Sequence, residues 1–321
     1  MRLSRLFGVL LFLLILCPSS RAQERVPLVV NYTAINANML NLWVGKESGA
    51  FADEGLDVQL VNVRGGSLGV QLLVSGQSPI GLVGATAIAN AYLQGNKDLV
   101  MIAGITNVMA FVLASKPEIQ GPDSMRGKTL AVSRFGSTAD FVAEYALRHM
   151  GLKRTDVSMI QIGTEVDRLA AMQRGDIQMS VFTPTFVPAI KKSGMRVLLD
   201  LEQMKIPYLL AGYATSRSFM ARERTPTVKF MRGIIKSIKR IKTDRPFAEK
   251  ILGKYLGTTD TELLRVALDQ QVRILPDLPY PTEEGIKTIL DDVGRTHPEA
   301  RRLAPSALID TTVVRDAAKG L

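Results

Sequence analysis

Residues 128–152, KTLAVSRFGSTADFVAEYALRHMGL, set the reading of the whole chain. The apolar run Thr129–Val132 predicts a strand, and Arg134-Phe135-Gly136 a tight turn. Ser137 stands at the N-cap position of a helix, with Asp140 three residues on to complete a capping box. Phe141, Val142, Tyr145 and Met150 mark one helical face, and Gly151 stops it. A helix that begins directly after a strand leaves unpaired backbone N–H groups at the C-terminal edge of the sheet. That edge is where open α/β sheets bind ligands. The stretch therefore predicts one wall of a binding site.

The same rhythm of strand, glycine turn and helix precedes it. A strand over 26–31 leads to a helix over 35–48 with Ile35, Met39, Leu42 and Trp43 on one side. Gly49 and Gly55 bracket 50–54, and 57–63 alternates as a strand. Gly65-Gly66-Ser67 opens a helix over 68–74, and Gly84-Ala85-Thr86 follows a buried strand over 80–83 and opens a helix over 87–93. Strands are expected over 99–105 and 111–114. Lys116-Pro117 and Gly121-Pro122 then break the pattern, so 108–122 is expected to cross into a second unit. There, strands over 129–132, 157–162, 177–182 and 196–199 alternate with helices. The helix over 183–192 has Pro184 in its first turn, where the missing N–H costs little, and Pro188 where a kink or a stop is expected. The apolar run 208–215 is expected to be the return crossing. Helices over 225–242, 246–255, 261–272 and 282–294 should pack on the first lobe, and the tail from 298 onward is expected to be a loop and a short terminal helix over 313–319. SGQSPIGLVGATAI and RGDIQMSVFTPTFV share a helix-ending glycine, a buried strand and a small or hydroxyl turn, as two lobes of one design would. The fold class expected is α/β, two-lobed, each lobe a mainly parallel sheet flanked by helices. Residues 23–110 with 212–321 form one lobe and 111–211 the other, with crossings near 108–122 and 206–215.

Composition narrows the function. The chain is 46% hydrophobic and 22% charged, which is globular. Arg2 and Arg5 precede an apolar run over 6–16, and Ser20 and Ala22 sit where a signal peptidase wants small residues. Residues 1–22 are thus expected to be a signal peptide cleaved after Ala22, with the mature protein soluble outside the cytoplasm. The single cysteine, Cys17, lies inside that signal, preceded by bulky Leu16. The mature chain then has no disulfide, no thiolate metal site and no cysteine nucleophile. Three signal arginines account for part of the net +10, leaving +7, much of it over 217–254. That basic run suits a solvated helical face. No aromatic residues interleave with it to stack bases, so nucleic-acid binding is not expected. Two isolated histidines, His149 and His297, give no metal cluster and are expected to be solvated. There is no Gly-x-Ser-x-Gly nucleophile turn, and GSTAD lacks a local base. An enzyme is not expected.

Taken in order, KESGAFADEGLDVQLV, the GGS turn, LVSGQSPIGLVGATAIANAYLQG, MRGKTLAVSRFGSTADF, ALRHMGLKRTDV and AAMQRGDIQMSVFTP cover most of 26–200. This ordered set resembles the periplasmic substrate-binding proteins of ABC transporters, in the branch that binds nitrate, sulfonates, taurine and thiamine-precursor pyrimidines. The resemblance implies a type II periplasmic-binding-protein fold, a small-molecule ligand, a membrane permease as partner, a periplasmic monomer, and no cofactor or metal. Pro79 and Gln178 stand where relatives often carry Asp. A binding module serving a sensor, or an enzyme on a pyrimidine-like substrate, are the alternatives.

Ligand contacts are expected from the turns at strand C-termini in both lobes. The first lobe offers Tyr32, Thr33, Gly66, Ser67, Ala85 and Thr86; the second offers Phe135, Gly136, Ser137, Thr138, Glu165, Thr183 and Thr185. Hydroxyls and backbone N–H groups converging from two sides suit a small polar or anionic group, and Tyr32 and Phe135 would supply apolar surface. Ser67, Thr86 and Ser137 are also suited to capping helices. Asp140 already complements its helix dipole, which argues against a strong anion site, and Glu165 would favour an amine or a hydrogen-bonding ring if it faces the cleft.

Overall fold

The computed structural model describes residues 24–319 and Leu321; the signal reading, with Cys17 and the cleavage point, lies outside them. The strands are β1 (Val26–Tyr32), β2 (Leu56–Asn62), β3 (Ile80–Val83), β4 (Leu99–Met101), β5 (Thr106–Val108), β6 (Val112–Ser115), β7 (Thr129–Val132), β8 (Ser158–Gln161), β9 (Met179–Phe182), β10 (Arg196–Asp200) and β11 (Pro207–Ser216). They form two sheets, each the centre of a lobe. The first runs β2-β1-β3-β11-β4, with β5 paired to β11; the second runs β10-β6-β9-β7-β8.

The sheets are mixed rather than mainly parallel. β1 is parallel to β2 and β3, and β7 to β8 and β9, as strand–helix–strand units require. The strand that arrives from the other lobe enters each sheet reversed. β11 is antiparallel to β3, β4 and β5, and β6 is antiparallel to β9 and β10. The run expected as a return crossing is thus a strand of 10 residues beside β3, buried from Tyr208 to Thr215. Burial on both faces explains its unbroken apolar character, which carries no signal of strand direction. β5 pairs with β11 through Val108↔Pro207 and Thr106↔Ala211, so the two interlobe connections are hydrogen-bonded to each other.

Other differences have local causes. The helix expected from residue 35 opens as a 3-10 turn, Ala37–Met39, because the Asn36 side chain accepts the Asn38 N–H at 3.1 Å; the α-helix is Leu40–Glu47. Pro188 splits the next expected helix into a 3-10 turn, Pro184–Phe186, and a helix Val187–Lys192 that keeps the proline in its first turn. Trp43 is a core residue, stacked on Tyr255 at 4.5 Å and edge-on to Tyr32 at 5.9 Å. The C-terminal helices do not pack on the first lobe alone. The helix Thr261–Ile274 also meets Pro184–Phe186, and Gln270 donates to Glu202 at 2.9 Å.

The lobes meet face to face. The helix Thr138–His149 of the second lobe ends near the first-lobe helix Glu283–Val293, and Arg148 Nη2 donates to both carboxylate oxygens of Asp292 at 2.5 and 2.6 Å. The turn after β7 is tied to the first lobe as well. Ser67 Oγ donates to Phe135 O at 2.8 Å, Asn90 Nδ2 to Gly136 O at 3.1 Å and Arg134 Nε to Arg64 O at 3.0 Å. These bonds exist only while the lobes are together. Arg148→Ala should therefore weaken the closed arrangement by about 1 kcal/mol, the scale of a partly exposed ion pair, without unfolding either sheet. Small-angle scattering of the unliganded variant is expected to show a larger radius of gyration at unchanged far-UV dichroism; an unchanged radius would mean that the pair does not hold the lobes.

Candidate functional site

Between the lobes lies a cavity of about 80 Å³. The first lobe lines it with Thr33 to Asn36 after β1, Asn62 at the end of β2, Gly65 and Gly66, and Gly84 after β3. The second lobe adds Ser133, Ser137 and Thr138 after β7, Gly163 to Glu165 and Arg168 after β8, and Thr183 after β9. Both walls are thus the C-terminal ends of parallel strands and the helix starts that follow them. Leu210 and Ala211 of β11, with Phe111, close the hinge side.

The chemistry centres on Glu165. It opens the helix Glu165–Arg174, but the cap is made by its neighbours: Thr164 Oγ1 accepts the Asp167 N–H at 3.1 Å, and Asp167 Oδ2 accepts the Thr164 N–H at 3.2 Å. These bonds hold the Asp167 carboxyl below the usual carboxylate range. With the cap already built, Glu165 points into the cleft, where it is only 7% exposed. Its Oε1 accepts from Thr183 N at 2.5 Å and Thr183 Oγ1 at 2.9 Å. Its Oε2 accepts from Asn36 Nδ2, in the opposite lobe, at 2.7 Å.

One turn along the same helix is Arg168, 2% exposed. Its guanidinium donates to Ser180 Oγ (2.9 Å), Ile162 O (3.3 Å), Gly163 O (2.9 Å) and Val181 O (3.1 Å), and lies 5.6 Å over the Phe182 ring. Burial lowers its pKa, opposed by the nearby charges of Glu165 and Asp167. Arg168 ties the start of its helix to β9 and supplies a positive charge beneath Glu165. Glu165 and Arg168 are the ionisable side chains lining the cavity; the other polar ones are amides and hydroxyls.

The arrangement is that of two α/β lobes closed over a polar cavity at their strand ends. The NMT1/THI5-like family model matches residues 36–245, which hold all of the cavity lining except Thr33, Ala34 and Ile35. The chain belongs to the NMT1/THI5-like family. Among curated proteins it is 25% identical, over 268 residues and 79% of each chain, to "Putative binding protein YtlA" of Bacillus subtilis (strain 168). Its fold is that of the periplasmic nitrate-binding protein NrtA from Synechocystis PCC 6803 (TM-score 0.76, 12% identity, covering 93% of this chain and 89% of that one). It is also that of the alkanesulfonate-binding protein SsuA from Xanthomonas axonopodis pv. citri (TM-score 0.73, 15% identity, 90% and 99%). The fold of this NMT1/THI5-like chain is the periplasmic-binding-protein fold, and the named relatives are binding proteins.

Six of the residues picked from the sequence line the cavity: Thr33, Gly66, Ser137, Thr138, Glu165 and Thr183. The others lie beside it. Tyr32 is buried against Trp43, and Ala85 is fully buried. Thr86 Oγ1 is 2.5 Å from the buried Tyr208 hydroxyl. Ser67, Phe135 and Gly136 face one another on the far side of the closing turn. There the Phe135 ring is 42% exposed and meets Arg154 at 4.9 Å, so it offers the cavity no apolar surface. The left-handed Gly136 (φ +75°) turns the chain so that Ser137 and Thr138, not Phe135, face inward. Thr185 stands one hydrogen bond behind, 2.9 Å from Thr183 Oγ1. Ser137 is the N-cap, accepting the Asp140 N–H at 3.4 Å. Asp140 reaches past it to accept Gly136 N at 2.8 Å and Arg154 Nη1 at 2.7 Å.

Sequence reasoning passed over Asn36, Asn38, Asn62, Ser133 and Arg168. Two signals were present. Asn36, Asn38 and Asn41 crowd a six-residue stretch of an otherwise apolar helix, and all three are buried. Glu165 and Arg168 stand at i and i+3, which places them on one helical face. His149 and His297 are exposed. Among the described residues no group of three or more His, Cys, Asp or Glu is placed to hold a metal ion.

Two substitutions separate framework from closure. Arg168→Met leaves several carbonyls and Glu165 without their cationic partner. It should cost about 3–5 kcal/mol of stability, the scale for breaking a buried charge arrangement, measurable by urea denaturation. Gly84→Ala would put a Cβ 1.8 Å from Thr138 Oγ1 across the cleft and 3.0 Å from Leu210 O. It should leave both sheets folded and hold the lobes apart, and adding Thr138→Ala should restore part of the closure. Scattering curves of the two variants, compared with the parent, check this.

Proposed function

We propose that this chain is an exported solute-binding protein. It captures a small polar organic molecule between its lobes, 23–110 with 212–321 and 111–211, and delivers it to the permease of an ABC transporter. It works as a monomer in the periplasm. The observation that carries this reading is the cavity itself. Its walls come from strand ends in two lobes, and its polar groups meet across the cleft only when the lobes close. A solute that contacts both walls stabilises that state over an open one, which is the differential affinity a closing motion needs.

The reading is of a binder and not of an enzyme. Glu165 and Arg168 are held by hydrogen bonds to Thr183, Ser180 and backbone carbonyls, and both histidines stand exposed at the surface. Arg168 is the cationic residue of the cavity lining, and the basic run over 217–254 contributes nothing to that lining.

A thermal-shift screen of the chain from residue 23 onward tests the proposal, with nitrate, sulfonates, taurine, pyrimidines, aromatic acids and amines as candidates. A solute present at one hundred times its Kd stabilises the native state by about 2.7 kcal/mol, a rise of several degrees in Tm. Thr138→Ala should weaken that solute's binding with little change in the unliganded Tm. A screen in which no small polar solute raises Tm would count against the proposed function.

A further inference from the structure

The charges in the cavity are not placed as an oxyanion would need. Arg168 has five N–H donors, and four are given to Ser180 Oγ and to the carbonyls of Ile162, Gly163 and Val181, all in its own lobe. One N–H is left for a solute, and no other lysine or arginine lines the cavity. The start of the helix Thr138–His149 is also spoken for: Asp140 lies in its first turn, where its charge offsets the positive end of the dipole. Glu165 stands in the opposite condition. A carboxylate has about four acceptor positions, of which Thr183 fills two on Oε1 and Asn36 one on Oε2. The Asn36 bond is made from across the cleft, so Oε2 is already engaged by an N–H donor offered from the facing wall.

We propose that Glu165 determines specificity in this cleft, and that the solute presents N–H donors to it: an amidine, an amine or an amino-substituted ring, rather than an oxyanion of the nitrate or sulfonate kind. The assignment rests on the solute-binding reading above and names the class of solute. An N–H group in the cavity takes the remaining position on Oε2 or displaces Asn36 from it. The surrounding amides and hydroxyls of Asn36, Asn62, Thr33 and Thr138 both donate and accept, and set no preference of their own. A nitrate or sulfonate brought to the same place would face a buried carboxylate, with one free arginine N–H beside it and the helix starts at Gly66 and Ala85 on the opposite wall to compensate it.

Matched pairs of probes test this. Acetamidinium and acetate, and benzamidinium and benzoate, share shape but exchange donors for acceptors; nitrate and methanesulfonate complete the panel. The wild-type chain should bind each amidinium at least tenfold more tightly than its carboxylate partner by calorimetry. Glu165→Gln keeps an oxygen for Thr183 and turns an NH₂ group toward Asn36 and the cavity. It should lose at least tenfold in amidinium affinity and narrow or reverse the preference. Tighter wild-type binding of acetate, benzoate, nitrate or methanesulfonate would overturn the assignment and leave the solute-binding reading standing. So would amidinium affinity that Glu165→Gln leaves unchanged. Binding of neither series would also overturn the assignment, and the thermal-shift screen would then decide the solute-binding reading separately. If the variant does not fold, the wild-type comparison decides alone.

Discussion

A carboxylate shut away from water must find its hydrogen bonds in the protein, and in this molecule Glu165 finds them in two lobes at once. Removing a charged group from solvent is strongly unfavourable unless donors replace the lost water. Thr183 supplies two from the second lobe and Asn36 one from the first. Opening the cleft would expose Oε2 to solvent, and the closed arrangement puts a protein amide in place of that water. The surrounding structure serves this arrangement. Thr164 and Asp167 take over the helix cap, so Glu165 need not turn back to its own backbone. Arg168 sits beneath it, held by the carbonyls of Ile162, Gly163 and Val181.

Much of the architecture was legible because glycines and short apolar runs punctuate this chain sharply. β3 and β7 have the bounds that the sequence suggests, and Gly151 and Gly175 end helices in the left-handed conformation that favours glycine. Strand direction was not legible. A buried run such as Tyr208 to Thr215 is equally apolar whether its neighbours run with it or against it, and only the path between lobes decides. At the candidate site, the turns picked from the sequence reach the cavity, but which residue of each turn faces inward was not legible. Ser67 and Phe135 belong to turns that face the cleft, yet they bond to each other beside the cavity, because the outcome depends on how two lobes meet. Asn36 and Arg168 escaped for another reason. Periodicity highlights apolar positions, so the asparagine cluster and the Glu165–Arg168 spacing, though present, gave no sign of which partners these polar groups meet.

The fold is shared with proteins named for nitrate and for alkanesulfonates at 12% and 15% identity. At that distance the conserved quantity is the scaffold of two sheets whose strand ends oppose each other. The side chains on the turns are free to differ. Function is carried by sites placed on folds, so a shared scaffold at this distance does not name a solute.

The pairing of β5 with β11 bears on the manner of that shutting. Two separate tethers would let the lobes slide, swivel and splay. Two strands laced by hydrogen bonds behave as a ribbon: pliant when flexed across its face, stiff when sheared along its length or skewed in its plane. A ribbon at the joint leaves chiefly one axis of rotation, as in a clamshell. Asn36 and Glu165 lie 129 positions apart in sequence. In the closing motion proposed above, the mechanics of the joint would return them to the same meeting point without a search.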